Sequence, residues 1–166
     1  MSEKLNYKMQ KTGTEEQMSN REKLNNLFQN SPMPIEHLMV NLGLYMRSSV
    51  LAKTLYINEL YEKIVHLPGS IMEFGSWYGT NLALFESLRA IYDPYNYTRK
   101  VIGFDTYDGY ENLSINDGKN ELVQEGQYSI PENYIDYLKE VLDFHQKENV
   151  LPHIKKYELI KGDATK

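Results

Sequence analysis

The sequence contains no cysteine, which excludes a disulfide framework and a thiolate zinc site and suits a reducing compartment. It has no run of about 18 apolar residues and no apolar N-terminal stretch that would read as a signal peptide. These absences predict a cytoplasmic chain with no membrane partner. Positive charge is also in short supply: the formal net charge is -5, so there is no basic footprint for a nucleic-acid backbone and no nucleic-acid partner is expected. Nowhere does a full GxGxxG occur, which weighs against a dinucleotide-dependent oxidoreductase.

At 166 residues, 41% hydrophobic and 25% charged, the chain has the length and composition of one compact domain with its own core. Fourteen tyrosines against five phenylalanines favour half-polar helix and loop surfaces, or an aromatic cleft for a ring-shaped ligand. Residues 1–30 are rich in Lys, Glu, Gln and Asn and short of large apolar side chains, a composition that predicts a polar N-terminal arm or surface helix. Ile35, Leu38, Met39 and Leu42 keep helical spacing, and Ile57, Leu60, Tyr61 and Ile64 repeat it in a segment running to Leu67. Pro68-Gly69 stops that second helix.

Residues 70–74 then read as a short buried strand, and Thr80 to Tyr92 as a helix closed by Asp93-Pro94. Val101, Ile102 and Phe104 form a second strand ending in Asp105, so the intervening helix makes a right-handed parallel crossover. The polar stretch from Tyr107 to Gln127, with turn signals at Asp108-Gly109 and Asp117-Gly118, is too long for an ordinary connection and predicts a functional loop. A helix opened by Pro131-Glu132 and a third strand at Tyr157–Ile160, followed by Gly162-Asp163, complete an α/β chain with a Rossmann-like parallel sheet of three strands preceded by two helices.

Each strand delivers a carboxylate to the same sheet edge: Glu73, Asp105 and Asp163. Acceptors of this kind suit an amine, a pair of hydroxyls and an exocyclic amino group, and repel phosphate. The interval from Glu73 to Asp105 exceeds the roughly 20 residues of dinucleotide folds. Between strand and helix, Gly75-Ser76-Trp77-Tyr78-Gly79 supplies a bare backbone turn where open α/β sheets bind ligands. Simpler roles exist for several of these residues. A strand-end carboxylate such as Glu73 can cap the next helix, Trp77 can be packing, and Asp108 before Gly109 is foremost a turn former. His37, His66, His145 and His153 have no metal-ligand spacing. Arg47 and Tyr56 suit a solvated helix face, with a lid over the ligand as the alternative.

The segments ExGSWYG at 73–79, IGFDTYDGY at 102–110 and KGDAT at 161–165 resemble the first three motifs of class I S-adenosylmethionine-dependent methyltransferases. The tryptophan in the glycine turn is similar to that of the macrocin O-methyltransferase group, which methylates sugar hydroxyls. The resemblance implies that Glu73 faces the methionine amino group and that the backbone of Gly75, Ser76, Trp77, Tyr78 and Gly79 wraps the methionine and ribose. It further implies that Asp105, with Thr106 beside it, accepts the ribose hydroxyls, and that Asp163 with Ala164 meets the adenine. On this reading residues 31–166 form one cofactor-binding domain, and the resemblance implies as acceptor a small hydroxylated molecule of the deoxysugar kind.

In the group resembled, the sheet continues beyond the third strand and a later segment carries acidic ligands for a divalent metal such as Mg. The sequence ends at Lys166, so those ligands are expected outside it, and the expectation is of a C-terminally truncated chain, or of a homo-oligomer in which a second copy covers the open edge of the first strand. No catalytic residue is assigned from the sequence. The competing function is a non-catalytic, methyltransferase-like assembly module with the tyrosine-rich helices as its contact surface.

Overall fold

The computed structural model describes residues 12–110 and 127–164. The Asp117-Gly118 turn, most of the long polar loop and Thr165 lie outside the described residues. The described residues divide into two compact units, one up to Leu55 and one from Tyr56 onward.

In the first unit, helix α1 (Glu15–Gln29) begins in a capping box: the Thr14 hydroxyl accepts from the Gln17 backbone N–H and the Gln17 side chain accepts from that of Thr14. These bonds satisfy two donors that a helix start leaves orphaned. The polar segment is thus a surface helix from residue 15, with no buried side chain. Helix α2 (Ile35–Val40) is followed by a 3₁₀ turn at Leu42–Tyr45, where the spacing predicted one helix. Phe28 packs edge-on against Tyr45.

Helix α3 (Ser48–Ile64) leads into the second unit. It ends one turn short of the predicted Leu67, since Pro68 has no N–H to offer the Ile64 carbonyl; the Arg99 guanidinium, ion-paired with Asp93 at 2.9 Å, donates to the carbonyls of Ile64 and Leu67. The Ile64 carbonyl is one of those that a helix C-terminus leaves without an i+4 partner. Three parallel strands, β1 (Ile71–Phe74), β2 (Val101–Asp105) and β3 (Tyr157–Lys161), form one sheet in the order β1-β2-β3, with β2 central. Helices α4 (Thr80–Tyr92) and α5 (Tyr134–Glu148) cross between them, and the α/β Rossmann-like reading holds.

The register aligns Ile71, Val101 and Tyr157 in one row and Glu73, Gly103 and Leu159 in the next. Strand side chains alternate between faces, so both rows face α4 and α5, and the core forms there around Leu82, Val101, Leu138, Leu142 and Tyr157. Met72 and Phe74 face the other way and stay largely exposed, Phe74 stacking on Phe104. Among the described residues no helix is long and apolar enough to cross a membrane.

Gly103 is what lets α4 approach the sheet. A Cβ there would lie 2.6 Å from Leu82 Cδ1 and 3.3 Å from Leu159 Cδ2, and Leu82 is itself buried. Gly103→Ala is expected to cost about 1–3 kcal/mol by overpacking. Urea unfolding checks this, and on a Leu82→Ala background, which removes the obstructing atoms, the same substitution should be close to neutral. Equal losses on both backgrounds would remove the steric explanation.

Candidate functional site

The turn after β1 is built by the end of β2. Gly75 N–H donates to the Phe104 carbonyl at 2.8 Å, and Trp77 N–H donates to Asp105 Oδ2 at 2.7 Å. The other carboxylate oxygen, Oδ1, accepts from Tyr107 N–H at 2.7 Å. One carboxylate therefore clasps two consecutive loops of the sheet's carboxyl edge. Both residues it holds have left-handed backbones, Trp77 at φ 48° and Tyr107 at φ 63°, a conformation costly for bulky side chains.

The two glycines of the turn do different work. Gly75 has φ 78° and nothing within 4 Å of where a Cβ would stand, so its backbone is open to approach. Gly79 has φ 72°, and a Cβ there would lie 2.5 Å from Leu138 Cδ1 on α5. The first serves access and the second serves packing. Ser76 is buried, its hydroxyl 3.2 Å from that of the buried Tyr107, whose phenol burial pushes above its ordinary pKa. Tyr78 offers its carbonyl to the Tyr134 hydroxyl at 3.1 Å, and its ring meets those of Trp77 and Tyr134. The Trp77 ring, half-buried against the main core, also meets Tyr128, while its indole N–H is buried with no acceptor.

Glu73 lies one row deeper than Asp105 in the sheet, and on the α4 side. Its Oε1 accepts from the Asn81 side-chain amide at 2.5 Å. Thr106 closes the loop after β2, its hydroxyl donating to the Gly109 carbonyl at 3.0 Å. Asp108 pairs with Lys161 at 3.0 Å, across the loops following β2 and ending β3. The ladder continues one step past β3 through Gly162 N–H to the Asp105 carbonyl, 2.9 Å, which sets Asp163 and Ala164 directly after the rung beside Asp105. The fold thus brings Glu73, the 75–79 turn, Asp105, Thr106, Asp163 and Ala164 to one sheet edge.

Tyr107 and Asn81 were not candidates from sequence. Tyr107 stood in a polar stretch that read as loop, and Asn81 in a helix's first turn, where a polar side chain reads as solvated. A groove of about 400 Å³ between α4 and α5 shares Tyr78 and Gly79 with the turn and is lined also by Tyr134, Tyr137 and His145. It includes none of the three carboxylates. Burial holds the His145 imidazole below its ordinary pKa. Among the described residues no three histidine or acidic side chains are grouped to hold a metal ion.

No family model matches the chain, and no curated protein does. Among solved structures it is similar to the crystal structure of CalS11, a calicheamicin methyltransferase, with 35% identity and a TM-score of 0.88 over 92% of this chain and 60% of that one. The apo structure of CalS11, described as a TDP-rhamnose 3'-O-methyltransferase in calicheamicin biosynthesis, matches with 33% identity and a TM-score of 0.76 over 92% and 58%. The chain spans about 60% of the length of the solved structures it matches.

Proposed function

We propose that this chain, which has the α/β Rossmann-like fold of class I methyltransferases, binds S-adenosylmethionine at the carboxyl edge of its sheet as the cofactor-binding part of a sugar O-methyltransferase. The observation that carries the reading is the Asp105 clasp, which holds an open glycine turn and a second loop around one strand-end carboxylate. Such a rim fits this cofactor. It presents acceptors to the cofactor's ammonium, hydroxyl and amino groups, and S-adenosylmethionine needs no phosphate cradle.

Bound there, the cofactor would supply an electrophilic methyl group on a sulfonium. The chain's part is to bind and orient: Glu73 takes the ammonium, the exposed Gly75 backbone lets the chain lie close, Asp105 takes the ribose hydroxyls, and Asp163 with Ala164 takes the adenine edge. Fixing the methyl group in line with an acceptor oxygen supplies much of the rate in a displacement of this kind. The acceptor we infer is a hydroxyl of a small sugar; for CalS11 the named acceptor is TDP-rhamnose.

Calorimetric titration with S-adenosylhomocysteine tests the reading. Saturable binding is expected, weakened about tenfold or more by Glu73→Ala, which removes a charge-assisted contact. Quenching of Trp77, the sole tryptophan, by this ligand and not by a dinucleotide gives an independent readout. A folded chain that binds no S-adenosylhomocysteine would remove the proposal.

A further inference from the structure

We propose that Asn81 is a second binding residue for the amino-acid end of the ligand, its side-chain oxygen receiving an N–H of the ligand's ammonium beside Glu73. The inference deepens the cofactor reading and rests on it. Asn81 stands in the first turn of α4, and its amide contacts Glu73 Oε1 at 2.5 Å. A carboxylate can only accept, so the nitrogen of the amide is the atom turned toward Glu73 and the oxygen is turned elsewhere. That oxygen is shielded from solvent and receives no hydrogen bond.

A buried acceptor left unmet is unfavourable, and native structures rarely keep one without a reason. An exposed polar face gives no such reason here. The arrangement joins a carboxylate on β1 to an amide oxygen on α4, two acceptors with a net negative charge. Phosphate and carboxylate ligands would meet acceptors only. A hydroxyl has one hydrogen and would satisfy one of the two. A primary ammonium has three N–H donors and a positive charge, and satisfies both with one to spare. The site therefore selects a ligand that carries its amino group intact.

The test is a titration of the full chain and of Asn81→Leu, which keeps similar bulk without polar atoms, with S-adenosylhomocysteine and with 5′-methylthioadenosine, which lacks the amino-acid end. For the Leu variant, S-adenosylhomocysteine should bind roughly ten- to a hundredfold more weakly, while 5′-methylthioadenosine binds within about twofold of wild type. Asn81→Ala, checked for folding by circular dichroism, repeats the comparison if the larger side chain disturbs the turn. Undiminished binding of S-adenosylhomocysteine by either folded variant overturns the assignment. So do equal losses for both ligands, which would mean that Asn81 only shapes the turn or holds a buried water. Failure of wild type to bind either ligand overturns the cofactor reading itself, and is distinguished from both by being present before any substitution.

Discussion

Replacing Glu86 by alanine is expected to destabilise the sheet-bearing unit by about 3–5 kcal/mol, the cost of leaving a buried charge without its partner. Glu86, Arg89 and Lys156 are all essentially inaccessible to solvent, at 0%, 1% and 0% exposure. The Glu86 carboxylate pairs with the Arg89 guanidinium one turn along α4. Arg89 in turn donates to the carbonyls of Arg99 and Lys156, just before β2 and β3, so this side chain fastens α4 to the amino edge of the sheet. Lys156 Nζ spends its donors on the carbonyls of Val150 and Leu151. Burial pushes the Glu86 carboxyl up and both cations down, because desolvation disfavours every charged form. Mutual attraction offsets that penalty only while all members are present.

Without Glu86 two cations face each other in a dry interior, and a loss of about 3–5 kcal/mol is a large share of the roughly 5–15 kcal/mol that holds a domain folded. Urea unfolding, read as a shift in midpoint at constant slope, measures it. Glu86→Gln should cost less, since it keeps the shape and one acceptor. Glu86→Leu with Arg89→Met should recover part of the loss but not all, because the Arg99 carbonyl would lose its Arg89 donor and the Lys156 carbonyl would keep only Val101 N–H. A fall of less than about 1 kcal/mol in Glu86→Ala, the range of a surface pair, would mean that the pair is solvated.

This cluster shows where the sequence stops being informative. Glu86 and Arg89 are three apart on an amphipathic helix, a spacing that reads as a solvated pair, and nothing local says that this flank of α4 is covered. Helix α4 and strand β2 were legible because a 3.6-residue period and a short apolar run are local properties. The three strand-end carboxylates were legible as positions, since strand ends can be read from the run that precedes them. Gly103 looked like any glycine, and its need for a bare Cα is set by Leu82, far along the chain. The contact of Asn81 with Glu73 is likewise fixed by the pleat of β1 and by the helix start that Gly79 permits. The partner of the carbonyls at and after the end of α3 is Arg99, more than thirty residues downstream. What escaped was in each case a pairing across elements.

Asp105→Asn is the second substitution with a large expected effect, and it is informative because so little changes in shape. The carboxylate accepts from two backbone N–H groups, one per oxygen. An amide of the same size has one oxygen, so its NH₂ must face Trp77 N–H or Tyr107 N–H, donor against donor. Each of those residues sits in a left-handed conformation that costs about 1–3 kcal/mol unless its surroundings enforce it. Losing one charge-assisted bond, worth about 1.5–3 kcal/mol, therefore releases a strained turn as well. The expected outcome is a stability loss of about 2–4 kcal/mol. S-adenosylhomocysteine affinity should fall about a hundredfold or more, because the carboxylate assigned to the ribose hydroxyls also shapes the turn around them. Unlike the substitutions at Asn81, this one should weaken 5′-methylthioadenosine to the same degree, since both ligands carry the ribose. The Trp77 and Tyr107 amide proton resonances should move upfield as their acceptor weakens. Ligand affinity within threefold of wild type would leave Asp105 a purely structural clasp, and unmoved amide resonances would remove the clasp.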